Sequence, residues 1–176
     1  MEKITKVLIT KEQIAKRVAE MGAQISKDYE GKSILCVCIL KGAMIFLSDL
    51  IREITVPVQL DTMQISSYGA STVSSGKVSI TKDLKTDIKG KDVLIVEDIV
   101  DTGISLKTLL EMLKERQPAS IKVAAFLDKP ERRVNDFKGD YIGYEIPNEF
   151  AIGYGLDYAE RYRELPYVGV LDFVEE

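Results

Sequence analysis

Val96-Glu97-Asp98-Ile99-Val100-Asp101-Thr102-Gly103-Ile104-Ser105, VEDIVDTGIS, closes one apolar run and opens another. Before it lies DVLIV, a continuous apolar stretch of the kind that forms a strand buried on both faces. After it, Leu106, Leu109, Leu110 and Leu113 recur at helical spacing in SLKTLLEMLKER. The stretch is therefore a strand-to-helix turn. A helix start offers free N–H groups and the positive end of the helix dipole, which together favour an anion. Gly103 lets a ligand approach the backbone, and Thr102 and Ser105 add hydroxyl donors. Three carboxylates, Glu97, Asp98 and Asp101, crowd the same turn. Asp and Ser/Thr also cap ordinary strand-to-helix turns; ionised carboxylates only accept hydrogen bonds, so three of them beside a phosphate turn make sense if the ligand offers hydroxyls, or a metal, as well as a phosphate. A ribose 5-phosphate unit does both. The GxxxxGK[ST] pattern of a nucleoside triphosphate loop is missing, and a monophosphate suits so small a turn.

Two further apolar runs resemble the first. Ser33 to Leu40 ends at Lys41-Gly42, and Ile121 to Leu127 ends at Asp128-Lys129. Between such runs lie helical patterns, Thr10 to Tyr29 with a capping box at Thr10 and Gln13, and AMIFLSDLIREI. Leu60 to Ser66, Tyr141 to Ile146 and Tyr167 to Leu171 supply further strands, and VSI suggests a hairpin. The alternation predicts an α/β fold with a parallel sheet and helices on both faces. In such folds ligands bind beyond the carboxyl ends of the strands, where Lys41-Gly42, Glu97-Asp98 and Asp128-Lys129 all fall. One shared site is the economical reading.

The chain has 176 residues, 45% hydrophobic and 30% charged, which fits one globular domain, 1–176. A net charge of -4 and a pI near 5.1 give no general positive field for nucleic acid or an acidic membrane. Without any histidine, Ser-His-Asp and Cys-His hydrolysis and HExxH metal chemistry are excluded. Any metal is expected to be a hard ion held by oxygen, with Mg²⁺ foremost. Cys36 and Cys38 stand two apart on one strand, with Cα atoms roughly 6.5 to 7 Å apart, beyond comfortable disulfide reach. They read as buried free thiols. No apolar leader opens the chain and no apolar run reaches about 18 residues, so the expected location is cytoplasmic.

The turn resembles the phosphoribosyl pyrophosphate (PRPP) signature of type I phosphoribosyltransferases, and most closely that of the hypoxanthine-guanine branch. The likeness continues in family order through Leu40-Lys41-Gly42-Ala43, Ser67-Tyr68, Leu127-Asp128-Lys129, FAIGYGLDY from Phe150 to Tyr158, and Arg163. It implies the type I phosphoribosyltransferase core with a small hood built from the chain termini, and assembly as a homodimer or homotetramer. It also implies that Asp101, Thr102, Gly103, Ile104 and Ser105 hold the 5′-phosphate, while Glu97 and Asp98 face the ribose hydroxyls and Mg²⁺. By the same resemblance Asp101 is expected to exchange the proton at N7 of the purine. The resemblance further implies that Lys41, Gly42 and Arg163 bind pyrophosphate, in a loop whose Leu-Lys peptide is often cis in the family. Lys129, Phe150, Ala151 and Asp157 surround the base, and Asp157 reaches a second Mg²⁺. The Ser-rich stretch 66–76, with Ser67 and Tyr68, corresponds to a mobile lid.

The implied substrates are PRPP and a 6-oxopurine: Lys129 has only donors to give, so it meets the carbonyl of hypoxanthine or guanine but clashes with the amino group of adenine. Purine salvage is the expected activity. Ala43 stands where many family members carry Gly, and DYAERYRE on its own reads as a charged surface that a helix could also present. Two readings stay open beside this one. A regulator of the same fold could sense nucleotides and bind RNA, and a phosphoribosyltransferase for xanthine would share these residues.

Overall fold

The computed structural model describes residues 2–67 and 78–173. Glu2–Ile9 forms strand β1, and Lys11–Asp28 forms helix α1. The predicted capping box is present: Gln13 N donates to Thr10 Oγ1 at 3.2 Å, and Thr10 N donates to Gln13 Oε1 at 2.8 Å. Strand β2 (Ile34–Ile39), helix α2 (Met44–Glu53), strand β3 (Val58–Ser67) and strand β4 (Val78–Lys82) follow. Then come β5 (Asp92–Val100), α3 (Ile104–Lys114), β6 (Ser120–Asp128), β7 (Tyr141–Glu145), β8 (Ala151–Ile152) and β9 (Val168–Phe173).

Six strands make one sheet in the order β4-β3-β2-β5-β6-β7, parallel except for β4 at the edge. The predicted hairpin is the β3–β4 pair. Its connecting residues 68–77, with Tyr68 and most of the expected lid, lie outside the described residues. Ser67 ends β3, paired in register with Val78. A second, antiparallel sheet, β1-β9-β8, joins the chain's two ends.

The pleat of β2 explains the two-sided core. Cys36 and Cys38 face α1 and α2, packed with Met21, Ile25, Phe46 and Leu50. Leu35, Val37 and Ile39 face the other way, toward Leu106, Leu109 and Leu113 of α3. Both cysteines are free, and burial pushes their thiols up to about 12. They are inert packing groups at neutral pH.

The chain leaves β2 through α2 to reach β3 on one side, while β5 pairs on the other side of β2. The order of strands thus reverses between β2 and β5. In an open α/β sheet the crevice beyond the carboxyl ends at such a reversal is where ligands bind. Lys41-Gly42 follows β2 directly, and Glu97-Asp98 lies near the end of β5. No helix among the described residues is long and apolar enough to cross a membrane.

Candidate active site

The turn after β5 has the local form predicted. Gly103 takes φ +81°, the left-handed conformation that glycine adopts without a Cβ penalty, and α3 begins at Ile104 with no side-chain cap. The first amides of a helix have no intrahelical partner. At this helix start Glu97, Ile99, Asp101, Thr102, Gly103 and Ser105 line a hollow of about 190 Å³. Thr102 Oγ1 accepts from Ile104 N at 3.4 Å. A larger hollow of about 440 Å³ between α1 and α2 holds none of the predicted site residues. The smaller one holds Glu97, Asp101, Thr102, Gly103 and Ser105 of that set.

Glu97 and Asp98 sit side by side. Asp98 N donates to Glu97 Oε1 at 3.0 Å, and Ile99 N donates to Asp98 Oδ1 at 2.7 Å. Burial, then the neighbouring Asp98 carboxylate, push the Glu97 carboxyl well above the usual range. Two acids held together in this way form a donor set that a hard cation relieves. No three acidic or thiol groups converge on one point among the described residues.

Three of the predicted segments meet at glycines. A Cβ on Gly42 would lie 1.7 Å from Asp98 Oδ2, and a Cβ on Gly155 would lie 2.1 Å from Gly42 O. The loop after β2 is thus pressed between β5 and the Gly153-Tyr154-Gly155 turn. The Leu40–Lys41 peptide is cis. Ala43 is buried in the right-handed helical region at φ -77°, which alanine adopts as readily as glycine. The departure from the family's Gly leaves this loop's backbone unhindered.

Residues 153–165 form no helix, so the charged stretch DYAERYRE is not the helical surface it could be on its own. They fold through the isolated bridges Gly153–Leu156 and Tyr158–Arg161. Tyr154, Ala159, Glu160 and Tyr162 have positive φ, four of the five such non-glycine residues described. Left-handed non-glycine backbone costs about 1 kcal/mol or more per residue and tends to gather at functional sites. Arg163 anchors the segment, donating through Nη1 to Gly155 O at 2.7 Å and pairing through Nη2 with Asp157 Oδ1 at 2.8 Å. Its Nε is buried without a partner. Lys41 Nζ reaches Glu160 Oε2 at 2.8 Å. Both predicted pyrophosphate cations thus hold carboxylates, one of which, Glu160, sequence reasoning did not single out.

On the other side of the turn, Lys129 N donates to Val100 O at 2.9 Å, bringing the end of β6 against the end of β5. Burial depresses the Lys129 ammonium below the usual lysine range; Asp101 opposes this and Arg132 reinforces it. Arg132 Nε pairs with Asp101 Oδ1 at 2.5 Å, on an oxygen shielded from solvent. Arg132 and Arg133 were not predicted, although the basic run after Lys129-Pro130 was visible in sequence. Phe150, 46% exposed, presents its ring beside Tyr158 at 5.7 Å, while Ala151 is buried in β8. A ring left open to solvent in this way is available for stacking.

A phosphoribosyl transferase domain matches residues 7–159. The chain belongs to the phosphoribosyltransferase family. A hypoxanthine-guanine phosphoribosyltransferase of Streptococcus thermophilus is 52% identical over 168 residues, covering 96% of this chain and 93% of that protein. One of Bacillus subtilis is 51% identical with the same coverage. The crystal structure of a hypoxanthine phosphoribosyltransferase from Staphylococcus aureus superposes with a TM-score of 0.94 at 49% identity, covering 96% of this chain and 92% of that one. This phosphoribosyltransferase therefore shares its mostly parallel α/β core with enzymes at about half identity. The similarity runs through the acidic turn, the Lys41 loop and most of the 150–165 segment.

Proposed function

We propose that the enzyme transfers the 5-phosphoribosyl group from PRPP to N9 of hypoxanthine or guanine, releasing pyrophosphate, as a step of purine salvage. The observation that carries this reading is the joining of a glycine-opened helix start with the half-buried Glu97-Asp98 pair at the strand-order reversal. A ligand with a phosphate at one end and hydroxyls at the other satisfies both. Relatives of that name at 52% and 51% identity support the choice of base.

In this reading Asp101 to Ser105 bind the 5′-phosphate through backbone amides and hydroxyls. Glu97 and Asp98 accept from the ribose hydroxyls and hold Mg²⁺, with Asp157 at a second ion. Mg²⁺, when bound, supplies positive charge to the departing pyrophosphate. Lys41 and Arg163 exchange Glu160 and Asp157 for pyrophosphate oxygens, with Gly42 allowing close approach. Lys129 donates to the 6-carbonyl, Phe150 stacks on the ring, and backbone at Ala151 and Asp157 meets the 2-position. Stacking of a base on an aromatic ring contributes about 1–3 kcal/mol. Carboxylates near the sugar favour positive charge at its anomeric carbon. Asp101 takes the N7 proton as N9 attacks.

The 66–76 stretch, with Ser67 and Tyr68, closes over the reacting groups and excludes water in this reading. The chain acts as one domain, assembles as a homodimer or homotetramer, and works in the cytoplasm. The test is Mg²⁺-dependent formation of inosine monophosphate, repeated with Asp101→Asn. A fall of about 100-fold in kcat is expected from loss of acid–base catalysis. Unchanged turnover would remove Asp101 from proton transfer.

A further inference from the structure

Arg133 directs three donors to three separate acceptors. Its Nε donates to Asp101 O at 3.2 Å and its Nη1 to Phe137 O at 2.6 Å, while Nη2 meets the Asp128 carboxylate. Its side chain is 11% exposed and that of Asp128 is 12% exposed, so this guanidinium has little freedom. The next residue repeats the contact: Val134 N donates to Thr102 O at 3.2 Å. Behind Gly103, a Cβ would lie 2.8 Å from Arg133 Cδ and 2.7 Å from Asn135 Oδ1, so this segment lies against the turn's back.

Peptide planarity links these two contacts to the direction of the amides. In a trans peptide the C=O and the following N–H point in opposite directions. The cis peptide at Leu40–Lys41 is the only one among the described residues, so the Asp101–Thr102 and Thr102–Gly103 units are both trans. Fixing the carbonyl of Asp101 toward Arg133 turns the Thr102 N–H the other way. Fixing the carbonyl of Thr102 toward Val134 does the same for the Gly103 N–H. Thr102 and Gly103 line the hollow at the head of α3, whereas Arg133 and Asn135 line a separate hollow with Asp128 and Phe137. The carbonyls are tied on one side of the turn and the amides face the other.

We infer that Arg133 is a positioning residue that sets the peptide planes of the phosphate turn, acting through the Asp101 carbonyl without touching the ligand. The inference rests on the reading of this turn as a 5′-phosphate site. The Asp128 carboxylate serves the same end by holding the guanidinium that orients the amides. Lysine cannot replace this function, because a single ammonium lacks the planar fork that spans three acceptors.

The test compares binding of inosine monophosphate with binding of inosine, which differs only by the phosphate. Calorimetric titration of the wild type is expected to show a clear preference for the monophosphate. Equal affinities there would overturn the reading of the turn, and this inference with it. Arg133→Met is expected to shrink that preference roughly tenfold, the scale of one lost charge-assisted hydrogen bond, with inosine affinity held within twofold. Arg133→Lys keeps the charge beside Asp128, serves if the methionine variant does not fold, and is expected to show the same loss. A folded variant with an unchanged ratio, or a lysine that restores it, would overturn the plane-setting role while leaving the phosphate site intact.

Discussion

Replacing Gly42 with alanine separates function from stability at this site. The added Cβ would lie 1.7 Å from Asp98 Oδ2 and 2.6 Å from Asp98 Cγ, while an ordinary contact begins at 3.4 Å. The carboxylate oxygen must therefore retreat by 3.4 − 1.7, or about 1.7 Å. What moves is the end of a side chain, which can rotate, and Gly42 is not among the left-handed residues. Folding stability should stay within about 1 kcal/mol of the wild type, because an alanine also restricts the unfolded chain. Catalysis should suffer far more. A misplacement of about 1 Å at a reacting centre costs on the order of 100-fold, and Asp98 is assigned to the ribose and its Mg²⁺. Initial rates of inosine monophosphate formation, with PRPP and Mg²⁺ varied at saturating hypoxanthine, would give kcat/KM for PRPP. Urea unfolding would give stability. A folded Gly42→Ala enzyme within about threefold of wild-type kcat/KM would refute the placement of Asp98 at the reacting centre.

Gly155→Ala should behave differently, because its Cβ would meet the Gly42 backbone oxygen at 2.1 Å and its φ is +101°; a loss of at least about 2 kcal/mol in urea unfolding is expected, and an unaltered midpoint would contradict the packing. Asp61 is buried, which pushes its carboxyl up, but amide donors from Thr86, Thr62 and Lys85 outweigh this and lower it overall. Its stabilising effect is thus present above the usual aspartate range and fades as pH falls through the depressed value. Asp61→Ala should cost about 3 kcal/mol at pH 7, with the difference from wild type shrinking in acid; a constant difference down to strongly acidic pH would oppose the assignment. The depressed Lys129 ammonium predicts that kcat/KM for the base declines on the alkaline side before an exposed lysine would titrate. Lys129→Arg, whose charge persists, should remove that decline, and an identical profile would assign it elsewhere.

The parts legible in sequence are those where local pattern and tertiary fate coincide. Runs such as ILCVCI and DVLIV have no polar face, so only a two-sided core suits them, and both became central strands. The Thr10 capping box and the leucine face of α3 are local signals that packing did not override. Strand β1 escaped notice because EKITKVLI buries only Ile9; its place comes from pairing with β9, at the far end of the chain. Strand β8 is two residues long and carries no period at all. Segment 153–165 is legible only through the family resemblance. Its charges look like a solvated helix, yet glycines at 153 and 155 and contacts from Arg163 fold it into turns against the Lys41 loop.

In the candidate site, sequence could suggest the residues proposed to face the ligand, since phosphate, ribose and metal each demand particular donor types. The supporting contacts were not. Glu160 reaches Lys41 across 119 positions of chain. Arg133 acts on carbonyl groups, and backbone acceptors leave no trace in side-chain identity.

Transfer to a 6-oxopurine is tested most simply by a single incubation with PRPP, Mg²⁺ and equal amounts of hypoxanthine, guanine, xanthine and adenine, with the nucleotides separated and quantified. Inosine and guanosine monophosphates are expected as the main products, with little or no adenosine monophosphate, because Lys129 offers only donors to position 6. Adenosine monophosphate formed at a comparable rate, or no nucleotide with any base, would contradict the proposed function.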